Sequence, residues 1–180
     1  FGPLDQGFWP DGLYTPPTLE ALRFDLAATK QMGCNMLRKH VKVEPQIFYS
    51  MCDRMGLMVW QDMPSPFFEA PKWDDGFPPL TDAWKQTFES ELERLIETHR
   101  QHPSIVMWVP FNEGWGQNDL AWSARVVDQV KKLDPTRLVN CASGWTDTGN
   151  GDVLDVHIYP GPGGAPLQAD RAVVLGEFGG

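Results

Sequence analysis

Two glutamates stand where a chain of this kind could do chemistry. Glu113 sits in Phe111-Asn112-Glu113-Gly114-Trp115-Gly116 and Glu177 in Leu175-Gly176-Glu177-Phe178-Gly179-Gly180, each closing a short apolar run. The run before Glu113, Ser104 to Val109 (SIVMWV), is apolar on both faces and reads as a buried parallel strand. An acidic group at the carboxyl end of such a strand emerges where α/β folds keep their ligand crevices. Two of them, on different strands, supply what glycoside hydrolysis needs. One protonates the leaving oxygen, and the other attacks the anomeric carbon or activates a water.

A lone glutamate at a strand end is ordinarily a solvated loop residue or a helix cap. The surroundings argue for more. Gly114, Gly116, Gly176, Gly179 and Gly180 permit close backbone approach. Trp108, Trp115 and Phe178 offer flat apolar surface for the CH faces of a sugar ring.

The elements that must position these groups follow from periodicity. Thr18 caps a helix carrying Leu22, Leu26 and Ala27 on one face and stopping at Gly33, and a strand follows at Cys34 to Arg38. Pro45 opens a second helix to Met55, closed by Gly56, before a strand at Leu57 to Asp62. Thr81 opens a long helix with Trp84, Phe88, Leu92, Leu95 and Ile96 at helical spacing, and a strand runs from Ile105 toward Asn112. Asn118 is expected to cap the next helix, which Asp134-Pro135 ends near Leu133. Leu138 to Ala142, Val153 to Tyr159 and Ala172 to Gly176 read as further strands, joined by the Gly- and Pro-rich loops Ser143 to Asp152 and Pro160 to Arg171. Pro110 lacks the amide hydrogen a central strand uses, so the strand either ends before it or bends there. Repeated β-α units favour a parallel sheet with helices outside, open or closed. Phosphate-loop and dinucleotide glycine fingerprints are absent, which favours a (β/α) barrel over a nucleotide-binding sheet.

With 180 residues and 42% hydrophobic content the chain fits one domain, 1–180, with a substantial core. A net charge of -9 argues against a nucleic-acid backbone or an anionic membrane as partner, and neutral sugars remain compatible. Cys34, Cys52 and Cys141 lack CxxC spacing and are expected as buried free thiols. No signal peptide is recognisable, and because the first residue is Phe1 the compartment stays unassigned.

The assembled residues resemble the catalytic domain of glycoside hydrolase family 2, the β-galactosidases, β-glucuronidases and β-mannosidases. The resemblance runs through Leu26 to Arg38 (LAATKQMGCNMLR) with His40, Phe48 to Asp62 (FYSMCDRMGLMVWQD), His102 to Glu113 (HPSIVMWVPFNE), Asp134-Pro135-Thr136-Arg137, and Glu177-Phe178-Gly179. It implies an α/β (β/α)8 TIM barrel, here incomplete, with about seven parallel strands in chain order and the eighth missing. It implies Glu113 as acid/base, Glu177 as nucleophile and Asn112 as donor to the sugar 2-hydroxyl. Arg38 and Tyr159 match positions that contact the nucleophile. A positive charge and a hydroxyl there would keep Glu177 ionised, and an apolar pocket would keep Glu113 protonated. His40 and His157 share strand faces with Arg38 and Tyr159 and are expected to reach sugar hydroxyls, Asp62 to reach sugar or Arg38, and Trp145 to stack on a sugar.

The resulting expectation is a retaining exo-β-glycosidase, β-galactosidase-like, with β-mannosidase or β-glucuronidase activity as the alternative. It needs a β-linked carbohydrate, no cofactor and no metal. The missing barrel segment and β-sandwich domains of a longer parent chain are its expected partners. A metal-dependent hydrolase is the weaker enzyme reading, since no HxH or HExxH cluster occurs. A non-catalytic carbohydrate-binding barrel fragment is the reading from another class.

Overall fold

A computed structural model describes residues 1–65 and 80–179. Among the described residues, seven strands and four helices follow one another: β1 (Leu4–Asp5), α1 (Leu19–Gln31), β2 (Met36–Lys39), α2 (Gln46–Met55), β3 (Met58–Asp62), α3 (Asp82–His99), β4 (Ile105–Val109), α4 (Leu120–Leu133), β5 (Leu138–Val139), β6 (Val153–Ile158) and β7 (Ala172–Phe178). Strands β1 to β5 pair in chain order, β6 pairs with β7, and every ladder is parallel. A parallel bridge between Asn140 and Val153 carries the order across from β5 to β6. This is the strand sequence of a (β/α)8 barrel, incomplete among the described residues.

Local chemistry accounts for the boundaries. Thr18 and Thr81 accept hydrogen bonds from the amides of Ala21 and Trp84 and start α1 and α3. The cap of α4 is Asp119, not Asn118, and its carboxylate accepts from the Trp122 amide. An ionised oxygen one residue later is the better partner for the unpaired first-turn amides. Strand β4 ends at Val109, immediately before Pro110, and β5 is only two residues long where five were expected. Strand β7 runs past Gly176 to Phe178, so Glu177 lies within it. The sequence reading assigned no strand to Leu4–Asp5, a two-residue element too short to show a period.

The large core lies between sheet and helices and holds Leu26, Phe48, Val59, Leu92, Ile96 and Val126, among others. Within it Phe88 of α3 stacks on Phe111 with ring centroids 5.4 Å apart, and Trp122 of α4 meets both edge-on. Met107 and Val109 point the other way, toward Val153, Trp60 and Val174, and fill the barrel interior. Trp108 lies between them in the chain and so faces the helices, 1% exposed, its Nε1 donating to Asp134 at 3.0 Å. It is a core residue and no sugar platform. Cys34, Cys52 and Cys141 are buried free thiols.

Candidate active site

Arg38, at the end of β2, is the hub. Its guanidinium donates to Glu177 Oε1 at 2.8 Å, to Asp62 Oδ1 and Oδ2 at 3.0 and 2.8 Å, and to Asn112 Oδ1 at 2.8 Å. Four strand ends thus converge on one buried cation. Burial works against that charge, but Asp62 and then Glu177 more than offset it, so Arg38 stays firmly protonated. Asp62 also accepts from the Val41 amide at 3.2 Å, and Val41 takes a left-handed φ of 50° that a β-branched residue rarely adopts.

Glu177 receives a second donor. The Tyr159 hydroxyl donates to its Oε2 at 2.5 Å. Burial, and next the Glu177 carboxylate, push the Tyr159 phenol up to about 12, so it remains a donor at any working pH. His40 Nε2 lies 3.6 Å from Glu177 Oε1 and has no hydrogen-bond partner among the described residues. Burial pushes His40 below its ordinary range, with Arg38 adding to the shift against the pull of Asp62. Its Nδ1 faces Gln6 Nε2 at 3.1 Å, which leaves the ring proton on Nε2, aimed at the site. Asn112 Nδ2 is likewise buried and without a partner. The two side chains lie against each other, and with neither atom in a formed hydrogen bond both can serve a polar ligand.

Glu113 follows β4 in the left-handed region, at φ 48°. A non-glycine residue held there stores strain of about 1–3 kcal/mol, and such outliers gather at functional sites. The strain is held in place by Ser143, whose carbonyl accepts from the Glu113 amide at 2.7 Å and whose amide donates to Phe111 at 3.0 Å. The pocket around Glu113 is polar, against the apolar pocket expected. His157 Nδ1 lies 2.8 Å from its Oε1. His157 has both ring nitrogens engaged, with Nε2 2.7 Å from Ser143 Oγ, and its side chain is fully buried. In this arrangement His157 serves Glu113 and Ser143, where a contact to a sugar hydroxyl was expected. Trp145 is 60% exposed on the loop after β5, open to a stacking ligand.

Sequence reasoning missed two members of the site, Ser143 and Asp155, and gave Gly176 only as one of several glycines permitting close backbone approach. The ladder between β6 and β7 slips at Val156/His157, so that Leu175 pairs with Val156 and Glu177 with His157, leaving Gly176 as the extra residue. That bulge turns Glu177 onto the face of His157. Gly176 faces the Asp155 carboxylate, which accepts from its amide at 2.8 Å, and a Cβ there would lie 2.2 Å from Asp155 Oδ1. Asp155 also accepts from Asn140 Nδ2 at 2.6 Å and from Ser143 Oγ at 2.8 Å. Burial pushes its carboxyl above the ordinary range, opposed by the Ser143 hydrogen bond and the Arg38 charge. The available signal was an Asp inside the apolar strand VLDVHI, since a buried charge requires partners. Gly180, counted among the glycines beside Glu177, lies outside the described residues.

One donor atom each from Glu113, His157 and Glu177 lie within 4.8 Å of one another. Such a trio could gather round a cation, but the Arg38 guanidinium 2.8 Å from Glu177 already supplies the positive charge and would repel another. A cleft of about 660 Å3 reaches Glu177 from the side of β1 and β7, lined by Arg38, His40, Trp60, Tyr159 and Glu177, with Glu113 outside its lining. No described helix is long and apolar enough to cross a membrane.

A family profile described as "Glycosyl hydrolases family 2, TIM barrel domain" matches residues 17–160. The chain belongs to that family. Among its relatives, a beta-galactosidase of Aeromonas hydrophila subsp. hydrophila is 31% identical over 144 residues, covering 76% of this chain and 13% of that protein. A beta-glucuronidase of Bacteroides fragilis is 30% identical over 123 residues, covering 66% of this chain and 17% of that protein. The solved beta-D-glucuronidase of Dictyoglomus thermophilum superposes with a TM-score of 0.75 at 19% identity, over 88% of this chain and 28% of that one, a likeness of fold. The chain spans 12–17% of the length of the curated relatives it matches. Glu177 lies beyond the residues the family 2 profile matches, so its inclusion in the site rests on geometry.

Proposed function

We propose that this chain carries the catalytic centre of a retaining exo-β-glycosidase, with Glu177 as nucleophile and Glu113 as acid/base. One observation carries the reading: carboxylate oxygens of Glu113 and Glu177 lie within 4.8 Å of each other, each gripped by a different set of partners. Retaining enzymes hold their carboxyl groups about 5–5.5 Å apart, and inverting enzymes need about 6.5–9.5 Å to admit a water between carboxylate and sugar. Nearest oxygens within 4.8 Å fit the closer arrangement better than the wider one, which supports direct attack.

In the first step a Glu177 oxygen attacks the anomeric carbon while the bond to the leaving oxygen breaks and Glu113 gives that oxygen its proton. In the second, Glu113 takes a proton from water, the water oxygen bonds to the anomeric carbon, and Glu177 leaves as carboxylate. Arg38 and Tyr159 hold Glu177 in place and lose charge-assisted hydrogen-bond strength as it becomes an ester, which favours its release. The unpartnered Asn112 Nδ2 donates to the sugar 2-hydroxyl. The relatives' names support a β-glucuronide and a β-galactoside equally as substrate.

A panel of nitrophenyl β-glycosides on the full-length protein tests the activity, and azide tests the roles. Glu177→Ala should lose turnover and regain it with azide as an α-glycosyl azide. Glu113→Ala should give the β-glycosyl azide, with activated leaving groups only. The same anomer from both variants sinks the role assignment, and no product from any β-glycoside sinks the activity.

A further inference from the structure

Behind Glu113 runs a hydrogen-bond chain whose four residues lie outside the lining of the cleft: Asn140, Asp155, Ser143, His157. Its direction can be read from the donor inventory. Asp155 is the fixed end, because the Gly176 amide donates to its Oδ1, while Asn140 Nδ2 and Ser143 Oγ close on its Oδ2. Three donors converging on one carboxylate hold it as an acceptor. Ser143 has one hydroxyl hydrogen and gives it to Asp155, so its Oγ must accept from His157 Nε2, 2.7 Å away. His157 therefore carries hydrogen on Nε2. While the imidazole is neutral its Nδ1 is then a bare lone pair, and the 2.8 Å contact to Glu113 Oε1 closes only with the proton on Glu113.

We propose that Asp155 and Ser143 are positioning residues that hold the hydrogen of a neutral His157 on Nε2 and thereby present its Nδ1 as the acceptor facing the proton Glu113 delivers as acid. The inference rests on the role proposed for Glu113 and adds to it two residues that never meet the sugar. The other charged or titratable groups facing His157 and Glu113 are Glu177 from β7, 3.5 Å from His157 Nδ1, Tyr159 just after β6, and Arg38 from β2, bonded to Glu177. None of these is within reach of Nε2, so the tautomer is decided by Ser143 and Asp155. The backbone makes room for the arrangement at Gly144, at φ 101°, where a Cβ would lie 2.9 Å from His157 Nδ1.

Asp155→Asn in the full-length enzyme reverses the chain. The new amide donates to Ser143 Oγ, Ser143 donates to His157 Nε2, and the ring hydrogen moves to Nδ1, where it holds Glu113 as a carboxylate. Asn140 has a buried Oδ1 without a partner among the described residues and can turn it toward the new amide, so the variant keeps its hydrogen bonds. With alkyl β-glycosides, whose leaving group needs a proton, kcat/KM should fall about 100-fold, the scale of general acid catalysis. With dinitrophenyl glycosides, which leave unprotonated, the loss should be at least tenfold smaller, on the order of a few-fold. Nitrogen-15 shifts of the His157 ring should move the hydrogen from Nε2 to Nδ1. Ser143→Ala, which removes the link without reversing it, should show the same leaving-group bias at smaller size, and it carries the test if Asp155→Asn does not fold. Equal losses with both substrates, no loss with either, or an Nδ1 hydrogen already present in the wild type overturns the proposal. A wild type inactive on every β-glycoside instead overturns the glycosidase reading, so the two failures are separate.

Discussion

Glu177 is defined by what it touches. Arg38, Tyr159 and, through the β6/β7 bulge, His157 surround one carboxylate, and Gly176 is the residue that lets them do so. Gly176→Ala places a methyl 2.2 Å from Asp155 Oδ1 in space that backbone and carboxylate already fill. The bulge must then open, and Glu177 and His157 lose their pairing. Turnover should fall by more than about tenfold while the far-UV signal is kept, on the scale that small misplacements cost at a reacting centre. Steady-state rates and circular dichroism on the full-length protein check this, and wild-type kcat would count against the bulge as the positioning device. Arg38→Met leaves Asp62 and Glu177 buried without their cation. Breaking a buried pair in this way costs roughly 3–5 kcal/mol, which a denaturant midpoint reads directly. Arg38→Lys should recover little of it, because one ammonium cannot reproduce a fork that serves Asp62, Asn112 and Glu177 at once.

At the scale of elements, the aromatic wedge between α3, α4 and the segment after β4 sets where Asn112 and Glu113 begin. Phe88 packs face to face with Phe111, and Phe111 is bonded through its carbonyl to the Ser143 amide. Phe88→Ala removes a fully packed ring and should cost about 3–5 kcal/mol, with loss of activity even below the melting temperature because Phe111 is no longer braced. Thermal melting with parallel rate measurements at low temperature separates the two effects. Full activity in the folded variant would show that Ser143 alone positions Glu113. The element boundaries were legible because each rests on short-range chemistry. The caps at Thr18 and Thr81 and the stop at Pro110 are decided within a few residues, whereas Asn118 and Asp119 compete for one cap and only the folded turn chooses.

For the molecule as a whole, pH acts through its carboxylates. Asp147 is held down to about 2, by the Arg171 hydrogen bond first and, against burial, by Cys141 and the Gly149 amide. Hydrogen bonds also hold Asp53 and Asp134 below the ordinary range despite burial. A lowered folded-state value means stability that is present above the unfolded value and lost as pH falls through the folded one. The protein should therefore lose stability between about pH 4 and pH 2, and Asp147→Asn should flatten that slope. Its share is about 1 kcal/mol, since the pair is partly exposed to solvent. Urea midpoints across that range read it, and identical slopes for variant and wild type would remove Asp147 from the account. Asp155, shifted upward, works in the opposite direction.

By itself the sequence determined the alternation of strands and helices, the family and the two glutamates, because periodicity, caps and motif spacing are properties of neighbours along the chain. Arg38 and Asn112 were legible by resemblance for the same reason, each sitting inside a contiguous motif, and Tyr159 by matching a single family position outside those motifs. Tertiary structure alone decided the rest. Trp108 is a core residue because strand alternation meets the helices on its side, and His157 serves Glu113 and Ser143 where a contact to a sugar hydroxyl was expected. The register slip that lifts Glu177 beside His157 depends on Gly176 meeting a carboxylate 21 residues away. Contacts of that kind are set by which strands pair and where, and pairing between distant segments leaves no period in the chain to read.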